Sequence, residues 1–375
     1  MPEHRPRSRW SRGAIAAIVV VAGALLSIGA ATAGQQRAEA RAAKQGAASV
    51  AGRGVAATVR APLVGTVGRA FEDPGRSNWT LGGKRPLRTT LWYPAREVPA
   101  AQHAVDTPPA FAANAPIADA AERYPLVLVS HGAGSRAAHM AWLAGTLAAH
   151  GYIVAAVDHN GSAEEELHSR PAPSDHFGWE RALDLRAVLD LLLEDPVFGS
   201  LIDRGRIGAA GFSLGGTTVL WLAGARLDLD HLRRNAPPMP PEMAAAIGRL
   251  LQLPETNAAA AEAQGRAEQS HRDPRIRGVF ALAPAMGFGF DAAGLRGIEA
   301  PVRIVVGRDD PVTPPATNAR VFADAIAGAE YIELAGERGH FTPRTPDAAR
   351  AAELAEVAAS AVDFFRDALP PGKAP

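Results

Sequence analysis

The chain has 375 residues, 47% hydrophobic and 21% charged, enough apolar material for a large core. Lys plus Arg and Asp plus Glu number 39 each, so the formal net charge is zero and no overall field draws the protein to nucleic acid. There is no cysteine, which excludes disulfides, thiolate metal sites, a cysteine nucleophile and lipid attachment through an N-terminal cysteine.

At the N-terminus Arg5, Arg7, Arg9 and Arg12 precede an apolar stretch, Ala14 to Ile28, and then the small residues Ala30-Ala31-Thr32-Ala33. A positive segment, an apolar core of about 15 residues and an A-x-A site form the pattern of a cleaved secretory signal, which predicts export and cleavage after Ala33. The competing reading is an uncleaved membrane anchor over 14–33, close to the roughly 20 residues that span a bilayer. Residues 34–59, rich in Ala, Gly, Gln and charge, read as a flexible tether. A cysteine-free chain also suits an oxidising compartment, where stray thiols would mispair.

From about residue 60 to 370 one domain is expected, since a parallel-sheet α/β unit can use roughly 250 residues or more. Val64–Ala70 and Arg88–Tyr93 read as the first strands, the second alternating as an antiparallel strand does. Val98–Tyr124, rich in Ala and Pro, reads as a surface loop. The near-continuous apolar runs Leu126–Ser130, Tyr152–Val157, Arg206–Gly211, Ile276–Ala283 and Val302–Val306 are those of strands buried on both faces, and Tyr331–Leu334 supplies the last. Helical spacing marks Ala137–His150, Trp179–Leu193, Leu214–Ala225, Thr317–Ile326 and Ala349–Leu369. The alternation predicts a doubly wound, mostly parallel sheet of eight strands. Residues 227–275, containing Pro237-Pro238-Met239-Pro240-Pro241, break the alternation and read as an insertion that caps the carboxyl edge like a lid.

The strand Arg206–Gly211 runs into Gly211-Phe212-Ser213-Leu214-Gly215-Gly216 and then an apolar helix. G-x-S-x-G between a buried strand and a helix holds a serine at a sharp, strained turn, with glycines where the two arms pass closely. The same turn aims the backbone N–H of Leu214, at a helix start, towards a developing oxyanion. Such a nucleophile requires a later acid and then a histidine. Of the histidines after Ser213 (His231, His271 and His340), only His340 follows the last strand-like run. Between them, Val302–Val306 leads into Gly307-Arg308-Asp309-Asp310-Pro311-Val312, where Asp309 and Asp310 are both candidates. Asp310 is preferred because the turn should direct its side chain to the histidine. The second oxyanion donor belongs in the loop after an early strand, here His131-Gly132-Ala133-Gly134, and the N–H of Ala133 is nominated, with His131 bracing the loop. His159 and His176 read as structural.

These stretches, with Leu87–Pro94, Leu147–Gly161, Arg181–Leu193 and Asp273–Pro284, resemble the α/β-hydrolases of the dienelactone hydrolase-like group, related to the platelet-activating-factor acetylhydrolases. The resemblance covers about residues 60 to 368. It implies a Ser213–Asp310–His340 triad with Ala133 and Leu214 as oxyanion donors, no metal and no organic cofactor. It also implies a small-molecule or lipid-like ester as substrate; membrane contact is expected only if the N-terminal segment stays as an anchor. Dienelactone hydrolases proper use a cysteine nucleophile, which this chain lacks, so lactone chemistry is not implied. Where some acetylhydrolase relatives place the acid one strand earlier, this chain has Ala283 and Pro284. Alternatives on the same triad are an amide or peptide hydrolase and an acyltransferase; a different class is an inactive binding protein, whose mark would be a missing triad residue.

Overall fold

The computed structural model describes residues 63–78, 83–96, 111–119, 122–162, 177–238, 252–335, 339–341 and 348–371. The expected signal segment, the tether, His176 and the middle of the insertion lie outside these residues. Nine strands form one sheet: β1 (Val64–Ser77), β2 (Lys84–Pro94), β3 (Phe111–Ala113), β4 (Tyr124–Ser130), β5 (Ile153–Val157), β6 (Ile202–Phe212), β7 (Ile276–Leu282), β8 (Val302–Gly307) and β9 (Glu330–Leu334). Their order is β3-β1-β2-β5-β4-β6-β7-β8-β9. From β5 to β9 every pairing is parallel, while β2 runs antiparallel to both β1 and β5. Eight strands match the expected set; the ninth, β3, lies within the segment read as a loop and pairs with β1 at the sheet edge.

Burial explains the strand composition. Every residue of β5 is buried, as is the carboxyl half of β6, whereas β1 alternates and β9 is half-exposed at the opposite edge. Strands in the centre have helices over both faces and need no polar side; edge strands keep one. The helices of seven or more residues are α1 (Ala141–Ala149), α2 (Glu180–Leu193), α3 (Leu214–Ala223), α4 (Leu229–Asn235), α5 (Ala258–Gly265), α6 (Ala319–Ala325) and α7 (Ala348–Ala368) among the described residues. Helices α1 and α7 pack together on one face, and α2 packs with α3 on the other. The seam under α7 is aromatic: Phe280 of β7 lies 6.2 Å and 6.5 Å from the rings of Phe364 and Phe365.

Within residues 227–275 the described parts include α4 and α5. The indole N–H of Trp179 donates to the Ala263 carbonyl at 2.7 Å, and Arg266 forks onto the Glu180 carboxylate at 2.7 and 3.1 Å. This portion therefore sits on the N-terminal end of α2, beside the carboxyl edge of the sheet.

The chain passes from β4 to β5 on one side and then returns to place β6 on the other side of β4. In doubly wound sheets, ligands are held at such a reversal, beyond the carboxyl ends of the strands, here β4 and β6.

Candidate active site

The end of β6 delivers Ser213 to this carboxyl-edge position. Its backbone stands at φ 55°, ψ −121°, in the left-handed half of the map, where a residue with a side chain is strained by about 1–3 kcal/mol. The surroundings enforce it. The Ser213 N–H donates to the Leu282 carbonyl at 2.9 Å, and the Ser213 carbonyl accepts from Thr217 and Ala285, each at 3.3 Å. A Cβ on Gly211 would stand 2.1 Å from the Gly215 carbonyl oxygen, and one on Gly215 would stand 2.0 Å from that of Ser130. No larger residue fits either place while the turn stays this tight. Ser213 is fully buried, and its Oγ takes no hydrogen bond among the described residues.

The loop after β8 carries Asp310. Its Oδ1 accepts from the backbone N–H groups of Val312 (2.9 Å) and Thr313 (3.0 Å), and its Oδ2 from the Thr313 hydroxyl (2.9 Å). The same Oδ2 lies 2.8 Å from Nδ1 of His340. Burial alone would raise the Asp310 pKa; the hydrogen bond and charge of His340 and the two backbone N–H donors outweigh it and hold the carboxyl below its ordinary range. An ionised carboxylate at Nδ1 fixes that nitrogen as the protonated one, which leaves the lone pair on Nε2. The imidazole packs on the ring of Phe212, centroids 4.8 Å apart, and so sits against the residue next to Ser213.

The loop after β4 closes the group. A Cβ on Gly132 would lie 3.4 Å from Cβ of Ser213 and 3.3 Å from the Phe212 ring, so the His131–Gly134 segment runs alongside the serine. Leu214 opens α3, where unsatisfied backbone N–H groups face outward from the helix start. Ser213, Leu214, Asp310, His340 and the Gly132–Ala133 peptide are thus gathered at the carboxyl ends of β4, β6 and β8. Asp309 is set apart from its neighbour: it is exposed, and Asp310 is the carboxylate that meets His340.

Two contributors escaped the sequence reading. Thr313 completes the carboxylate's coordination and also lies 3.4 Å from Nδ1 of His340; its signal was the Asp-x-x-Thr spacing, which lets a side-chain oxygen accept from the N–H three residues on. Phe212 occupies a position in G-x-S-x-G that the pattern leaves unspecified. Among the described residues, no three His, Asp or Glu side chains are grouped so as to hold a metal ion.

A family model described as PET hydrolase-like matches residues 114–247, a stretch holding Ala133, Ser213 and Leu214 but neither Asp310 nor His340. The chain is 32% identical over 122 residues to cutinase 2 of Thermobifida cellulosilytica, covering 30% of this chain and 42% of that one. It is equally identical over 122 residues to cutinase cut1 of Thermobifida fusca, covering 34% of that protein. The chain thus spans less than half the length of these curated relatives. Among solved structures, a ferulic acid esterase from Streptomyces cinnamoneus superposes with a TM-score of 0.52 at 24% identity, over 86% of this chain and 94% of that one; at such identity the likeness is one of fold.

Proposed function

We propose that the chain, whose fold is like that of a solved esterase and part of which matches a PET hydrolase-like family model, is an α/β-hydrolase and a serine hydrolase of carboxylic esters. In this reading Nε2 of His340 takes the Ser213 proton as Oγ attacks the ester carbonyl, and the N–H groups of Ala133 and Leu214 hold the oxyanion. The imidazolium formed is steadied by Asp310, then protonates the leaving alcohol; water, deprotonated in turn by His340, releases the acid from the acyl-enzyme. The observation that carries the proposal is the strained backbone of Ser213, clamped by Gly211 and Gly215 with the Asp310-paired imidazole stacked on the adjoining Phe212. A buried serine kept in that conformation, at that place in the sheet, has no structural purpose that an alanine in relaxed geometry would not serve as well. The local likeness to cutinases supports esters over amides, and aromatic and aliphatic polyesters belong among the substrates to try. The N-terminal sequence supports export, and the contacts of Ala263 and Arg266 with the start of α2 support reading the described parts of residues 227–275 as a cap on the carboxyl edge of the sheet.

The test is turnover of p-nitrophenyl butyrate by the purified protein and by Ser213→Ala. The substitution removes one oxygen, so the folded variant should lose activity on the order of 10⁶-fold. A folded Ser213→Ala protein that still turns over would refute the assignment. A rate series from short to long acyl chains, with a phospholipid and an aromatic polyester included, then fixes the substrate class.

A further inference from the structure

Behind the candidate site lies a second serine–histidine–aspartate line that the proposed chemistry leaves unused. Ser130 Oγ, on the last residue of β4, is 2.9 Å from Nε2 of His159, and Nδ1 of His159 is 2.9 Å from Oδ2 of Asp184 on α2. All three side chains are fully buried. The direction of each hydrogen bond follows from the arginines. Asp184 accepts from Nε and Nη2 of Arg85 at 2.7 and 3.0 Å and from Nη2 of Arg76 at 2.6 Å. Although burial opposes it, this company keeps the carboxyl ionised, well below its ordinary range. A carboxylate only accepts, so Nδ1 of His159 carries the proton, and Nε2 must receive the Ser130 hydroxyl.

His159 also reaches the neighbouring loop. Its backbone N–H donates to Nε2 of His131 at 3.3 Å, so the His131 proton sits on Nδ1 and is given to the Gly132 carbonyl at 2.8 Å. Burial, first of all, pushes both imidazoles below their ordinary pKa, which keeps each in this single neutral tautomer at neutral pH. Arg181 adds a bond from Nη1 to the His131 carbonyl at 2.9 Å. In a trans peptide the carbonyl of one residue and the N–H of the next point opposite ways. Drawing the Gly132 carbonyl inward to His131 therefore turns the Ala133 N–H outward, on a peptide that lies against Ser213.

We infer that His159 and His131 are positioning residues for this reaction: the chain Asp184–His159–Ser130, joined to His131, fixes the plane of the Gly132–Ala133 peptide and thereby aims the Ala133 N–H at the oxyanion. The inference rests on the ester-hydrolase reading above. It differs from plain core packing in one respect. An oxyanion donor acts on the transition state and hardly on the bound ester, so its misalignment lowers kcat and leaves KM nearly alone.

The experiment compares His131→Leu, His131→Asn, His159→Phe and Ser130→Ala with the parent protein. It reads kcat and KM on p-nitrophenyl butyrate, inhibition by an alkyl boronic acid that mimics the tetrahedral intermediate, and the melting temperature. In His131→Leu and His159→Phe kcat should fall about 10- to 100-fold, at or below the loss of one whole donor, with boronate inhibition weakened in parallel and KM within about threefold. His131→Asn, whose amide N–H can still reach the Gly132 carbonyl, should recover most of the kcat. Ser130→Ala is the mildest change and keeps the test decisive if the larger ones unfold: it should lower kcat several-fold with KM unchanged. Parental kcat in a folded His131→Leu or Ser130→Ala, or a loss that appears only in KM, would overturn the inference. Ser213→Ala, run alongside, separates the two claims. If it is inactive while His131→Leu is fully active, positioning fails alone; if it remains active, the ester-hydrolase reading has failed.

Discussion

Adding one methyl group at position 215 should disable the protein without touching any group that does chemistry. In Gly215→Ala the new Cβ would lie 2.0 Å from the Ser130 carbonyl oxygen, 2.5 Å from its carbon and 2.7 Å from the His131 oxygen. All three obstacles are backbone, so no rotamer change relieves them. Forcing extra atoms into a packed interior costs about 1–3 kcal/mol, and a backbone obstacle belongs at the upper end. For a domain of this size about 3 kcal/mol corresponds to a melting temperature lower by roughly 4–6 °C. What must yield is the junction of β4 with the His131–Ala133 loop, and a displacement of about 1 Å at a catalytic group can cost about 100-fold in rate. Scanning calorimetry and p-nitrophenyl butyrate kinetics read the two effects. Gly265→Ala serves as control, because its Cβ meets nothing within 4 Å and the residue ends helix α5; there alanine should be neutral or stabilising by up to about 1 kcal/mol. A Gly215→Ala protein with parental stability and parental kcat would mean that the tight crossing of loop and elbow is wrong.

Asp310→Asn should lower kcat by roughly 10⁴-fold, because an amide can present the wrong partner to Nδ1 and misplace the imidazole proton, whereas Asp309→Asn should be silent; equal effects in a kcat comparison would contradict the pairing. Thr313→Val keeps the shape but removes the hydroxyl that donates to Asp310 at 2.9 Å, a bond to a charged group worth about 1.5–3 kcal/mol, so kcat should drop at least about tenfold and the melting temperature should fall. His159 is held neutral with its pKa lowered from 6.5 to about 4, chiefly by burial and against the pull of Asp184. Between those values the unfolded chain binds a proton that the folded one refuses, so its contribution is complete above about pH 6.5 and is lost as pH falls towards 4, by an amount on the order of 3 kcal/mol. Urea unfolding measured from pH 7 to 4 should show this decline, and His159→Phe should flatten it; an unchanged slope in that variant would assign the acid sensitivity elsewhere.

Much of this arrangement was legible because the chemistry demands rare local patterns. G-x-S-x-G after an apolar run has one steric purpose, and chain order narrows the candidate base to His340 and the candidate acid to the adjacent pair Asp309 and Asp310. The strand β3 was not legible. Phe111–Ala113 sits in an Ala- and Pro-rich stretch, and three residues at a sheet edge carry no alternation to detect. The buried polar network was also invisible as a network, although one of its signs was present. Arg181, Asp184, Leu185, Val188 and Leu192 share a helical stripe, and all five are buried in α2. Two charged residues on an apolar stripe need partners: Asp184 finds Arg76 and Arg85 on the first hairpin, about 100 positions away, and Arg181 finds the His131 carbonyl and the Ser162 hydroxyl. No local signal can join segments that distant; only the antiparallel pairing of β1 with β2 brings both arginines over α2.

The two histidine–carboxylate pairs differ by 0.1 Å in their Nδ1–oxygen distances, 2.8 Å at Asp310 and 2.9 Å at Asp184, yet only one suits a general base. What separates them is the rest of each carboxylate's company. Asp184 meets the guanidinium groups of Arg85 and Arg76, whose positive charges consume its field, and Arg181 and Arg85 act directly against a proton on His159. An imidazolium there would be one more cation among arginines in a dry interior, so His159 serves as a fixed neutral strut. Asp310 takes neutral donors instead, the N–H groups of Val312 and Thr313 and the Thr313 hydroxyl. These orient the carboxylate without cancelling its charge, and in the proposed reaction that charge remains to favour a cation on His340 as Ser213 gives up its proton. On the proposed reading, the same two-residue motif therefore serves as a strut or a base according to whether the acid's remaining lone pairs face charges or dipoles.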